Sequence, residues 1–94
     1  PHAFVIESGP KAVLTHLGID TVELAGDGFI ILAQEGDRIE IADPVVKWDP
    51  TAVAAGGNSP IVVVVALGAA AHKVTVLTQP DQVVTAGTPL FSWA

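Results

Sequence analysis

His16-Leu17-Gly18-Ile19-Asp20-Thr21-Val22-Glu23-Leu24, continued by Ala25-Gly26-Asp27-Gly28-Phe29, is the stretch on which the reading of this chain turns. It follows an apolar, strand-like run, Ala12-Val13-Leu14-Thr15, so a strand delivers a histidine to its own end. Gly18 and a short polar turn come next. An imidazole at the rim of a sheet, beside backbone N–H groups that a turn leaves free, suits holding a phosphoryl group or a metal and suits core filling poorly. A second histidine, His2, opens the preceding strand.

Outward from that stretch the apolar period is two. Phe4 and Ile6 alternate with Val5 and Glu7, Ile39 and Ile41 with Arg38 and Glu40, Val74 and Val76 with Lys73 and Thr75. These alternations predict strands. Ile61-Val62-Val63-Val64-Val65-Ala66-Leu67 is a continuous β-branched run and predicts a central strand buried on both faces. Gly9-Pro10, Gly26-Asp27-Gly28, Gly36-Asp37, Asp43-Pro44, Gly56-Gly57-Asn58-Ser59-Pro60, Gln79-Pro80-Asp81 and Gly87-Thr88-Pro89 punctuate the chain as turns. Two short helical turns are expected, at Asp20–Glu23 and at Thr51–Ala55. The second has Asp49 or Thr51 as N-cap, Pro50 near the first helical position and Gly56 as its stop. The fold class is all-β, a small antiparallel sandwich or barrel. A weak internal repeat sets Asp37-Arg38-Ile39 and Pro44-Val45-Val46-Lys47-Trp48 against Asp81-Gln82-Val83 and Pro89-Leu90-Phe91-Ser92-Trp93, with a one-residue slip between its halves.

Composition narrows the function classes. A chain of 94 residues makes at most one small domain, and half of its residues are apolar, so most strands need at least one covered face. No run approaches the ~20 apolar residues that cross a bilayer as a helix. No signal-peptide pattern is present. The chain has no cysteine, which removes disulfides, thiolate metal sites and cysteine nucleophiles and fits a reducing compartment. The net charge is −6, with Lys11, Arg38, Lys47 and Lys73 as the basic residues. Nucleic acid requires clustered cations and is not an expected partner. A basic protein is, and Asp20, Glu23 and Asp27 place an acidic field directly after His16.

Pro1-His2-Ala3-Phe4-Val5-Ile6-Glu7-Ser8, the His16–Leu24 run, Gly26-Asp27-Gly28-Phe29 and Glu35-Gly36-Asp37-Arg38-Ile39 together resemble the glucose-type enzyme IIA domain of the bacterial sugar phosphotransferase system. The resemblance is close and in order to about residue 50 and weaker beyond it, where Pro60-Ile61-Val62 and Ala86-Gly87-Thr88-Pro89-Leu90 still match. It implies a duplicated hybrid motif fold and a cytoplasmic phosphocarrier, either free or tethered to the inner membrane through fused permease domains. It implies the histidine phosphocarrier protein as donor and the enzyme IIB domain as acceptor, in a phosphotransferase component that uses no cofactor. The family domain extends further on the N-terminal side, so residues 1–94 are expected to be its C-terminal portion. A chain without those strands is expected to associate with a second copy or with the N-terminal piece. Three departures stand out. A threonine usual two residues before the first histidine would precede Pro1. Ala42 stands where glycine is common, and residues 65–71 are alanine-rich and lack the family's asparagine.

The chemistry follows from the residue types. A neutral imidazole nitrogen attacks phosphorus readily, and the phosphoramidate formed can pass its phosphoryl group onward. His16 is the expected nucleophile and His2 the expected donor or steadying ring, as the resemblance implies. Gly18 permits close backbone approach, and the turn Gly18, Asp20, Thr21, Val22 is expected to offer N–H donors to the phosphoryl oxygens. Asp20 either sets a histidine tautomer or caps the following turn. Phe4, Leu14, Leu17 and Val22 are candidates for an apolar docking face; core packing is the alternative for each, and Phe29 is expected in the core. His72 is expected to be a solvated loop residue. Two rival functions remain open. A zinc-dependent hydrolase of related β architecture would use His16 and Asp20, although it needs a His-x-His pair that this chain lacks, and incidental zinc at His2 and His16 is a lesser version of it. A lipoyl- or biotinyl-type carrier would need a lysine at a hairpin tip, for which Lys11 is the candidate.

Overall fold

The computed structural model describes residues 2–94. Strand β1 (Ala3–Ser8) turns at Gly9-Pro10 into β2 (Lys11–Ile19), with Ser8 opposite Lys11 and Ala3 opposite His16. The two-residue turn works because Gly9 takes φ of 57°, the left-handed start that a tight hairpin needs. A 3₁₀ turn, Thr21–Leu24, leads to β3 (Phe29–Ile31), a long loop, β4 (Val46–Trp48) and the helix α1 (Pro50–Ala55). Asp49 caps α1, accepting from the Thr51 and Ala52 amides, and Pro50 sits at the first position, where no N–H is needed. Then come β5 (Ser59–Ala66), a 3₁₀ turn at Ala71–Lys73, β6 (Val74–Val76) and β7 (Phe91–Trp93). All pairings are antiparallel: β1-β2-β5, β3-β4 and β6-β7. The class is all-β, as expected, and the three sheets form no closed barrel among the described residues.

Two expected strands need correction. Residues 38–41 are not a strand: Asp37 and Asp43 side chains accept from the amides of Gln34 and Glu40, closing two successive turns around them, and Ile41 is left 99% exposed. β5 exists but is neither central nor buried. Among the described residues it pairs with β2 alone, and Ile61 to Val65 are all exposed. Pro60 lies inside it, at the register slip that separates Leu17↔Val62 from Ile19↔Ser59, and a residue without an N–H belongs to such edges and slips. The accessible surface is 6892 Å², against about 5,100 Å² for a compact chain of this mass.

The internal repeat is realised without the one-residue slip. Phe29, Ile31, Val46 and Trp48 correspond to Val74, Val76, Phe91 and Trp93. Gly36 therefore matches Asp81, and Asp37 matches Gln82. Turn by turn the hydrogen bonds repeat: Gln34 N to Asp37 Oδ2 at 2.8 Å and Gln79 N to Gln82 Oε1 at 2.9 Å, Glu40 N to Asp43 Oδ2 at 2.8 Å and Thr85 N to Thr88 Oγ1 at 3.2 Å. The left-handed residues repeat too, Gly36 with Asp81 and Ala42 with Gly87. Glycine stands once at each pair, in opposite copies.

The core sits on one side. Leu17, Phe29 and Val53 are its buried members among the described residues, with Phe4, Leu24, Val46 and Trp48 packed against them. Phe29 and Trp48 stack with centroids 5.8 Å apart and planes 9° apart, across the Phe29↔Trp48 pair that the ladder creates.

Candidate functional site

His2 and His16 meet at the open end of the β1–β2 hairpin. Their ring centroids are 4.9 Å apart in an edge-to-face arrangement. Residues 2 and 16 stand one step off register, which strict pleating would send to opposite faces. The rings meet because His2 precedes the first regular residue of β1, while its carbonyl still accepts from Leu17 N at 2.7 Å and ties the end of the strand to β2. Both rings are half-buried. Burial lowers the pKa of His2 below its usual value, and the neighbouring His16 lowers it further, so His2 favours the neutral ring and keeps one N–H donor.

His16 is held by its own strand. Its Nδ1 lies 2.6 Å from the Gly18 carbonyl. A carbonyl accepts and cannot donate, so Nδ1 carries the proton and Nε2 carries the free lone pair. The strand can bend back this sharply because Gly18 has φ of 83°, at the place where the β2–β5 register slips. A Cβ at Gly18 would stand 2.5 Å from Thr21 Cγ2 and 2.8 Å from the Ser59 carbonyl oxygen. Glycine is required there for both its backbone and its lack of a side chain.

The remaining expected residues divide. Asp20 stands at the N-cap position of the Thr21–Leu24 turn with φ of 60°, but its side chain makes no capping bond; its backbone carbonyl serves instead, accepting from Glu23 N at 3.1 Å. The tautomer role considered for Asp20 falls to the Gly18 carbonyl, a backbone group that no residue-type pattern could have pointed to. Thr21 is fully buried and its hydroxyl is spent on Leu17 O, so it presents no hydroxyl outward. Val22 is 60% exposed and available to a docking partner. Leu17 is a core residue, not part of a docking face, while Phe4 and Leu14 are half-buried. Phe29 is core and His72 is exposed, in the Ala71–Lys73 turn.

Neither histidine lines the depression under α1 or the groove beside β5. The depression, of about 350 Å³, opens between Leu24, Asp27, Asp49 and Val53, and the groove, of about 310 Å³, runs between β5 and the β6–β7 pair. The imidazoles stand on the rim, a position that serves exchange with another macromolecule better than capture of a small molecule. Among the described residues no group of three or more His, Cys, Asp or Glu side chains is placed to hold a metal. Lys11, the lysine that a lipoyl-type carrier would offer, is tied back: Nζ donates to the Trp93 carbonyl at 2.9 Å and lies 5.4 Å from the Trp93 ring centroid. Among the described residues no helix is long and apolar enough to cross a membrane.

The family model for the phosphoenolpyruvate-dependent sugar phosphotransferase system, EIIA 1, matches residues 1–72. The chain is 34% identical over 91 residues to the N-acetylglucosamine-specific EIICBA component of the phosphotransferase system of Klebsiella pneumoniae, across 96% of this chain and 14% of that protein. It is 49% identical over 49 residues to the glucose-specific EIIA component of Haemophilus influenzae, across 51% of this chain and 30% of that protein. To the glucose-specific EIIA component of Staphylococcus epidermidis it is 49% identical over 37 residues, across 39% of this chain and 22% of that protein. The chain thus spans less than a third of each of these relatives.

Proposed function

The chain belongs to the EIIA 1 family of the phosphoenolpyruvate-dependent sugar phosphotransferase system, and from that premise we propose that it is a phosphohistidine carrier in which His16 takes a phosphoryl group from the histidine phosphocarrier protein and passes it to an enzyme IIB domain. The observation that carries this reading is the 2.6 Å contact between His16 Nδ1 and the Gly18 carbonyl, which turns Nε2 into the nucleophile. Nε2 donates its lone pair to phosphorus, the new N–P bond forms, and the bond from phosphorus to the donor's imidazole breaks, returning that electron pair to the donor. The His16 ring keeps its Nδ1 proton and gains positive charge, which the Gly18 carbonyl oxygen stabilises at close range. Onward transfer runs the same exchange toward the next acceptor. His2 offers its N–H to a phosphoryl oxygen from one edge of the site.

The surroundings support exchange between proteins. Exposed Val22 and half-buried Leu14 lie with Asp20, Glu23 and Asp27 on the segments next to the histidines, whereas Phe4, on the opposite face of the β1–β2 hairpin from Leu14, packs against the core and drops out of the docking candidates. Apolar contact with an acidic rim suits a basic phosphocarrier partner. The reading places the domain in the cytoplasm, free or joined to other components.

Incubation with phosphoenolpyruvate, enzyme I and the histidine phosphocarrier protein should give acid-labile, base-stable label. His16→Ala should abolish it, and His2→Gln should accept label but pass it on slowly. Label that survives His16→Ala would refute the assignment.

A further inference from the structure

Thr21 is fully buried, yet it carries a hydroxyl. Burying a hydroxyl is unfavourable unless it is bonded, and here Oγ1 donates to the Leu17 carbonyl at 2.6 Å. Its other branch, Cγ2, fills the space on the Cβ side of Gly18. Leu17 O and Gly18 O are successive carbonyls. The first is held by Thr21 and the second by His16 Nδ1. The backbone between those two anchors is the turn at φ of 83°, on a residue with no side chain of its own to fix it. Glycine gives the bend but not its rigidity, because glycine has the widest choice of conformations. Rigidity has to come from a neighbour, and Thr21 is the neighbour that both bonds and packs there.

We propose that Thr21 is a positioning residue for His16: by holding Leu17 O it aims the Gly18 carbonyl at Nδ1 and so selects the ring tautomer that leaves Nε2 free. This rests on the reading of His16 as phosphoryl acceptor. It also removes the Thr21 hydroxyl from the groups that would touch the phosphoryl group, since it is buried and already engaged.

The test separates the two ideas. Nitrogen-15 ring spectra of His16, taken at alkaline pH, report the tautomer without any phosphorylation. The native chain should show one tautomer, protonated at Nδ1. Thr21→Val keeps the shape and loses the donor, so it should give a mixture containing the Nε2-protonated ring. Labelling by the phosphocarrier should slow about tenfold, the scale of one lost hydrogen bond. Thr21→Ser keeps the donor and should hold the single tautomer and near-native labelling, and it serves if Thr21→Val does not fold. A single Nδ1-protonated tautomer in folded Thr21→Val, or its loss in Thr21→Ser, overturns the proposal. A tautomer mixture with unchanged labelling would instead support the positioning role and count against His16 as the acceptor.

Discussion

The segments 29–48 and 74–93 have one backbone and two interiors. Both pair a short strand with another that ends in tryptophan, and both close their loops with the same pair of side-chain-to-amide turns. In the first, Phe29 is buried, stacked on Trp48 and in one cluster with Leu17 and Val53. In the second, the matching residue is Val74, half-buried, and Trp93 is met by the ammonium group of Lys11. Local hydrogen bonding therefore sets the course of the chain in each copy, and side-chain volume decides which copy becomes a core. The site lies against the core-bearing copy, because Leu17, next to His16 in β2, shares the core with Phe29.

The comparison predicts unequal costs. Phe29→Ala should destabilise the chain by about 3–5 kcal/mol, or unfold it, because a buried ring is removed from the cluster it forms with Leu17 and Val53. Val74→Ala, at the matching position, should cost roughly 1 kcal/mol. Urea titration of the two variants measures both, and equal losses would break the contrast. A smaller effect tests the shared backbone. Ala42 holds φ of 72° where its counterpart Gly87 holds 89°. Ala42→Gly should stabilise by about 0.5 kcal/mol, the left-handed cost of about 1–2 kcal/mol less glycine's extra backbone entropy of roughly 0.5–1 kcal/mol. Gly87→Ala should lose a similar amount, and a melting series on both variants checks the pair. The smallest effect is that of pH. His2 has a lowered pKa in the folded chain, so the unfolded chain binds its proton more readily. The stability tied to the neutral ring is present above the ordinary histidine value of 6.5 and is lost as pH falls through the lowered value. Hydrogen exchange should show the Leu17 amide, bonded to the His2 carbonyl, loosening below that value before the β6–β7 amides do. Exchange that quickens first at β6–β7 would contradict this.

Much of this was legible in the sequence, and the misses share a cause. Strand periods at residues 3–8 and 74–76 and the Asp49-Pro50 helix start depend on local rules, and the structure has them where those rules point, whereas the meeting of the two histidines followed from the family resemblance and not from pleating, which alone would part them. The strand expected at 38–41 failed because its alternation is only two residues deep and the flanking Asp37 and Asp43 bind their own backbone. The run at 61–67 failed on neighbours, since β-branched residues state a preference for extended chain and not for burial. Pro60 was the available signal for an edge. At the site, the roles of Gly18 O and Thr21 depend on a single bend, which composition and spacing do not encode.

The outer margin of β5 has a consequence for how the molecule behaves in bulk. Residues 61–67 hold no charge and no proline, and their backbone groups on the side away from β2 face no strand among the described residues. Such a margin is a template for another extended strand. What opposes this is the net charge of −6, which keeps copies apart at long range. Salt shortens that repulsion to a few ångströms and leaves the apolar strand untouched. Ionic strength thus becomes a solubility control for this chain, set by the open edge of one strand.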